Sequence, residues 1–141
     1  MSSIGRLIRK NHAAVFWCTL HYPKAKREAV YTLYALFKHF DDLTSSLLPS
    51  KEKAEILAAW QEEVVNIYEK KVPVTEIGRR IYKNCLRFKL PRESLEDVVK
   101  GVAMDCPETM FRPSLKEFEL YCRNTAEIPS YLVLKVIAEF D

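Results

Sequence analysis

Tyr34, Lys38, Asp41 and Ser45 are spaced four, three and four residues apart, so on a helix they share one face. Asp42 follows Asp41 directly and points about a quarter-turn away. An acidic pair at the end of an apolar helical stripe is costly to bury unless a cation meets it. A hard divalent ion such as Mg²⁺ would do so, because it takes carboxylate oxygens and keeps phosphate ligands beside them. The same residues also fit a plainer arrangement. Lys38 can pair with Asp41 or Asp42 on a solvated helix end, a contact worth under about 1 kcal/mol. Spacing alone leaves both open.

The elements that must position these residues read as helices. Lys24 to about Ser46 is the strongest, with Val30, Leu33, Tyr34, Phe37 and Asp41 at helical spacing and no Gly or Pro inside it. Before it, Ala13–Tyr22 is apolar enough for a buried helix closed by Pro23. After it, Ser50 is a candidate N-cap for a helix whose apolar face is Ile56, Leu57, Trp60, Val64, Ile67 and Tyr68. Thr75 is a candidate cap for a helix carrying Ile77, Ile81, Tyr82, Cys85 and Leu86, which Pro91 breaks. Leu95, Val98, Val99, Val102 and Ala103 predict a further helix ending near Met104–Asp105. Pro107 and Pro113 bound a loop. Ser114 is then a candidate cap for a helix from Leu115 onward that carries Phe118, Tyr121, Cys122 and Ala126, and Pro129 should kink or interrupt it. Apolar residues from Leu132 to Ile137 resume the pattern. The expectation is an all-α fold of about six helices with no strand.

Composition narrows the class. The chain has 141 residues, 48% of them hydrophobic and 29% charged, as in a folded globular protein. Only three glycines occur, which argues against a β-sandwich, a P-loop or a dinucleotide fold. A net charge of +3 is too even for a dedicated nucleic-acid binder, though it permits a local basic patch. Cys18, Cys85, Cys106 and Cys122 are dispersed and their neighbours are mostly apolar. They predict buried reduced thiols in a cytoplasmic protein rather than a zinc site. Arg6, Arg9 and Lys10 are followed by no apolar core of a signal peptide, and no run of apolar residues is long enough to span a membrane.

The stretch His21-Tyr-Pro-Lys-Ala-Lys-Arg-Glu-Ala-Val-Tyr-Thr-Leu-Tyr-Ala-Leu-Phe-Lys-His-Phe-Asp-Asp resembles the squalene/phytoene synthase family. There a leucine-proline step leads to R-x-A-[VI]-x-A-x-Y-A-[FL]-x-R-x-x-D-D. Three further blocks arrive in order. Glu76-Ile-Gly-Arg-Arg-Ile resembles the helix after the variable segment, Gly101-Val-Ala-Met-Asp105 the G-M-x-M-D turn, and Tyr121-Cys-Arg-Asn-Thr-Ala126 the Y-C-Y-x-V-A block.

The resemblance implies an all-α isoprenoid synthase that joins two prenyl diphosphates head to head through a cyclopropyl intermediate. Two aspartate-rich motifs would hold Mg²⁺ on the leaving diphosphate, and apolar walls would shield the carbocation. Carried over residue by residue, Asp41 and Asp42 match the metal-binding pair, and Tyr34 and Tyr121 match tyrosines of the site. Lys38 matches a diphosphate-binding arginine, keeping its charge without the bidentate fork. Arg27 matches a family arginine and reads as structural. Ser45 stands where the last aspartate of the motif is expected; it is carried over as a diphosphate-binding position, but it brings no charge, so metal affinity should fall. Asn11-His-Ala-Ala replaces a serine-containing motif. Glu127 reads as a solvated residue, and His12, His21 and His39 as surface or interhelical ones.

No second aspartate-rich motif follows Tyr121, so residues 1–141 read as a partial domain equivalent to the N-terminal half. Three expectations follow. The chain alone should not turn over. A polypeptide supplying the remaining helices, or a second copy, is a candidate partner. Peripheral membrane contact is a further candidate association, and nucleic acid is not an expected partner. A non-catalytic assembly or binding protein on the same fold, like the family's complex I assembly factor, is the alternative.

Overall fold

The computed structural model describes residues 2–106 and 113–139. Among them the chain is helical with no strand: α1 (Ser3–Asn11), α2 (Ala13–Cys18), α3 (Lys24–Thr44), α4 (Ser50–Val65), α5 (Glu76–Asn84), α6 (Arg92–Asp105), α7 (Leu115–Cys122) and α8 (Ile128–Ala138). The Pro107 end of the expected loop lies outside the described residues.

α3 is the axis of the fold, packed by α1, α5, α6 and α8. Its buried residues Ala29, Val30, Leu33, Leu36, Phe40 and Leu43 form one broad stripe, and buried Tyr31, Thr32 and Ala35 carry burial on to the adjoining side. Complete burial of a Leu or Phe side chain stabilises by about 1.5–3 kcal/mol. This helix therefore fixes the others, and its C-terminal end carries Asp41 and Asp42. α4 buries Leu57, Trp60 and Val64 as its spacing predicts. Trp60 Nε1 donates to His39 Nε2 at 3.0 Å, which ties α4 to α3 and makes His39 interhelical. Burial lowers the His39 pKa, with Asp42 pulling the other way.

Two caps stand where the sequence places them. Thr75 Oγ1 accepts from Gly78 N at 2.8 Å. Ser114 forms a full capping box with Glu117. Ser50 does not cap. Pro49 holds the N-cap position, with its carbonyl accepting from Lys53 N at 3.1 Å, and Ser50 is the first helical residue.

The Ala13–Tyr22 segment also differs. Its helix stops at Cys18, well before Pro23, and the Thr19 hydroxyl donates back to the Val15 carbonyl at 2.7 Å. Only Phe16 in α2 is buried. What buries Phe16 is α1, a helix that composition did not single out. Ser2 caps it through Gly5 N, and Ile4 and Ile8 face Tyr31 and Ala35.

The thiols are not uniformly buried. Cys85 is buried, which pushes its pKa up to about 12, whereas Cys18 and Cys122 are exposed. α7 departs most from expectation, because none of its residues is buried. Leu115, Phe118 and Leu120 all face solvent. The apolar periodicity is present, but no described helix covers it.

Candidate functional site

The C-terminal half of α3 divides two grooves. At about 100° per residue, Asp41 lies nearly in line with Tyr34, while Lys38 and Asp42 sit progressively to one flank. The structure separates them accordingly. Tyr34 and Asp41 line a groove of about 280 Å³ against Val98, Val102 and Asp105 of α6 and Asn124, Thr125 and Pro129 of the C-terminal helices. Lys38, His39 and Asp42 line another, of about 370 Å³, against α1 and α5. Lys38 Nζ is ion-paired with Asp42 there. Ser45 is the exposed C-cap of α3 and lines neither groove.

In the first groove Asp41 is exposed and its carboxylate has no partner among the described residues. Asp105 reaches the same groove from the end of α6 and interacts there with the Tyr121 hydroxyl. That interaction, with burial second, raises the Tyr121 pKa. Tyr121 is thus a positioning residue for Asp105. Tyr34 stands edge-on to His12, with ring centroids 5.0 Å apart, and to Phe37. His12 Nε2 is buried and has no hydrogen-bond partner among the described residues. A buried, unpaired nitrogen is costly unless a ligand or water meets it.

From sequence, His12 reads only as a surface or interhelical residue, and Asp105 has no site role. The signal for Asp105 was the Gly101-x-x-x-Asp105 spacing. Gly101 lets α6 approach the segment after α7, since a Cβ there would lie 2.9 Å from Asn124 Cβ and 3.0 Å from its carbonyl carbon.

That segment, Arg123–Glu127, is a π turn joining α7 to α8. The interruption expected at Pro129 occurs as this widened turn, closed by Ile128 N–H to the Arg123 carbonyl. Proline cannot donate in a helix and its ring crowds the preceding turn, so widening relieves both conflicts. The turn swings Asn124 and Thr125 into the groove, while Glu127 stays exposed. Gly101→Ala is expected to push this turn away and cost about 1–3 kcal/mol, read by denaturant unfolding. An unchanged midpoint would show that the contact is loose.

A family model described as squalene/phytoene synthase matches residues 8–141. The chain belongs to this family. It is 26% identical over 115 residues to a presqualene diphosphate synthase of Rhodopseudomonas palustris, covering 81% of this chain and 40% of the relative. A presqualene diphosphate synthase of Zymomonas mobilis is 29% identical over 107 residues, covering 74% of this chain and 35% of the relative. A phytoene synthase of Arthrospira platensis is 26% identical over 133 residues, covering 94% and 42%. The chain therefore spans about two-fifths of the length of these curated relatives. No solved structure matches.

Family members use Mg²⁺, so the donor set bears on fit. No cluster of three or more His, Cys, Asp or Glu side chains suited to a metal occurs among the described residues. Asp41 and Asp105 nevertheless present two carboxylates from two helices to one groove, beside the unpaired His12 nitrogen. Mg²⁺ is commonly held by one or two carboxylates, with waters and substrate phosphates completing its shell. The groove fits a metal that arrives with an anionic ligand, not one caged by protein. Asp42 is turned toward Lys38 and contributes nothing to this set.

Proposed function

We infer that this chain contributes the first-aspartate side of a Mg²⁺-dependent site for head-to-head condensation of prenyl diphosphates. The observation that carries this is the convergence of Asp41, Asp105 and the unpaired His12 nitrogen on one groove with an apolar floor. Family membership and the names of the relatives support it. Asp41 and Asp105 would hold the metal, which neutralises charge developing on the departing pyrophosphate when bound. Tyr121 fixes the Asp105 carboxylate in advance. His12 offers its free nitrogen to a diphosphate oxygen or a water. Phe37, Phe40, Val98 and Val102 form a wall against which a prenyl chain excludes water. Lys38 must leave Asp42 before it can reach a diphosphate, a modest cost for an exposed pair.

This side of the site does not suffice for turnover. The aspartates stand at 41, 42, 97, 105 and 141, so no D-x-x-x-D occurs in the sequence. The exposed apolar side of α7 and α8, with Leu115, Phe118 and Leu134, fits the further helices that the longer relatives possess. Ser45 and the Lys38–Asp42 pair favour the alternative, a non-catalytic binding or assembly protein on this fold.

Product analysis with farnesyl or geranylgeranyl diphosphate and Mg²⁺ separates the two. The chain alone is expected to release no pyrophosphate. Addition of a polypeptide carrying the remaining helices of the family should restore product. No product from the combination would exclude the catalytic reading and leave the binding one.

A further inference from the structure

The charge is unevenly placed along the chain. No acidic residue precedes Glu28, whereas Arg6, Arg9, Lys10, Lys24, Lys26 and Arg27 all do. Residues 1–27 thus carry a formal charge of +6, and a net charge of +3 overall leaves −3 for the remainder.

The fold makes this segment a surface. α1 and α2 pack as a hairpin with Ile4, Ile8 and Phe16 turned inward. The outer side of α2 is then Ala13, Ala14, Trp17 and Cys18, with Leu20 beyond it, all exposed and none charged. Trp17 is 57% exposed, against 6% for Trp60. The Arg9 guanidinium lies 5.9 Å from the Trp17 ring centroid. Arg27 Nη1 donates to the Leu20 carbonyl at 3.3 Å, which places a cation beside the other end of the strip. Exposed Arg6 and Lys10 extend the basic rim along α1.

We propose that the α1–α2 hairpin is a docking surface for an anionic lipid bilayer. Tryptophan and leucine insert at the headgroup boundary, and arginine and lysine meet lipid phosphates while their stems cover apolar surface. The arrangement disfavours a second copy, because a two-fold contact through this strip would set cation against cation. It also places little hydrogen-bonding capacity on the strip itself, which suits lipid better than a polar protein partner. No helix among the described residues is long and apolar enough to cross a membrane, so the contact is peripheral. It does not depend on catalysis.

Sedimentation and tryptophan fluorescence with vesicles test this. The probe is phosphatidylcholine carrying phosphatidylglycerol at roughly one lipid in three, against phosphatidylcholine alone. The chain is expected to bind the anionic vesicles and release from them at high salt. Emission should shift to the blue and be quenched by brominated lipid, with Trp17 responding and buried Trp60 silent. Arg9→Ala should weaken partitioning about fivefold, since each cation near such a surface contributes about 1 kcal/mol. Trp17→Ser should weaken it at least as much and abolish the quenching. Leu115→Ser, on the apolar side of α7, should change neither.

Four results would overturn the proposal. These are no vesicle binding, equal binding to neutral vesicles, equal loss with Leu115→Ser, or a dimer in solution that Arg9→Ala or Trp17→Ser dissociates. The last would assign the strip to self-association.

Discussion

Asp41→Ala should remove the Mg²⁺-dependent part of prenyl diphosphate binding, and Asp42→Ala should leave it within about threefold, a difference of under 1 kcal/mol. The prediction separates two neighbouring aspartates that the sequence motif treats as a pair. Asp41 faces the groove shared with Asp105, whereas Asp42 faces the opposite groove and is neutralised by Lys38. Removing one of two carboxylates from a metal–diphosphate contact is expected to weaken binding at least thirtyfold, or about 2 kcal/mol. Removing Asp42 frees Lys38, whose charge can then turn toward an anion, so a slight gain is compatible with the geometry. Calorimetry with farnesyl diphosphate, with and without Mg²⁺, reads both variants. Equal losses would mean that the two aspartates act as one chelating pair. No loss with Asp41→Ala would remove the metal from this groove. Tyr121→Phe provides a graded check. It leaves Asp105 present but unoriented, so it should cost only about threefold to tenfold, as expected for loss of a single polar interaction.

Much of this was legible because helical periodicity is a local property. The α3 stripe, the α4 face and the Thr75 and Ser114 caps follow from residue type and spacing over a few turns. The ordered motif blocks then carried the family. Other features depended on what packs against what. Tyr34, Lys38, Asp41 and Ser45 do share one side of α3. Which groove each side chain enters was decided by α6 on one flank and by α1 and α5 on the other. A long lysine side chain at the edge of a face goes to the nearer counter-ion, here Asp42. α1 was obscured because its apolar contribution is only Ile4 and Ile8 among basic residues, and its burial comes from Tyr31 and Ala35 of another helix. The apolar residues of α7 read as core by spacing yet lie on the surface, since periodicity marks which face seeks a partner and not whether one is present. His12 could not be assigned from sequence, because its meaning lies in a buried nitrogen left unpaired by a three-dimensional neighbourhood.

Glu63 was invisible for the same reason, and its replacement should have the largest effect on stability. It sits on α4 outside the apolar face that the spacing marks, yet it is only 2% exposed. Its carboxylate accepts from Val74 N and Thr75 N, from the Thr75 hydroxyl and from Asn66 Nδ2. The bond from Thr75 N is 2.8 Å long. The group thereby organises the turn that starts α5, since the same Thr75 hydroxyl caps Gly78 N. Gly78 completes the fit, because a Cβ there would fall 1.9 Å from Glu63 Oε1.

Glu63→Gln keeps the shape but turns an NH₂ group against backbone donors. It should destabilise the chain by about 3 kcal/mol, the cost of leaving buried donors unpaired. At this chain length that corresponds to a fall of about 10 °C in Tm. Gly78→Ala should cost a similar amount, because the carboxylate cannot retreat without losing its donors. Burial alone would raise the Glu63 pKa, but the four donors outweigh it and hold the group below its ordinary value of 4.5. The unfolded chain then binds the proton more readily than the folded one as the solution is acidified, so stability falls with falling pH. The stabilisation is complete above the ordinary carboxylate range and is lost as pH drops through the depressed folded value. The gap between the parent chain and Glu63→Gln should therefore be widest near neutral pH and narrow on acidification. Urea unfolding of both from neutral pH into the acid range measures it. A gap that stays constant with pH would mean that Glu63 contributes shape alone, and that its charge does not hold α5 in place.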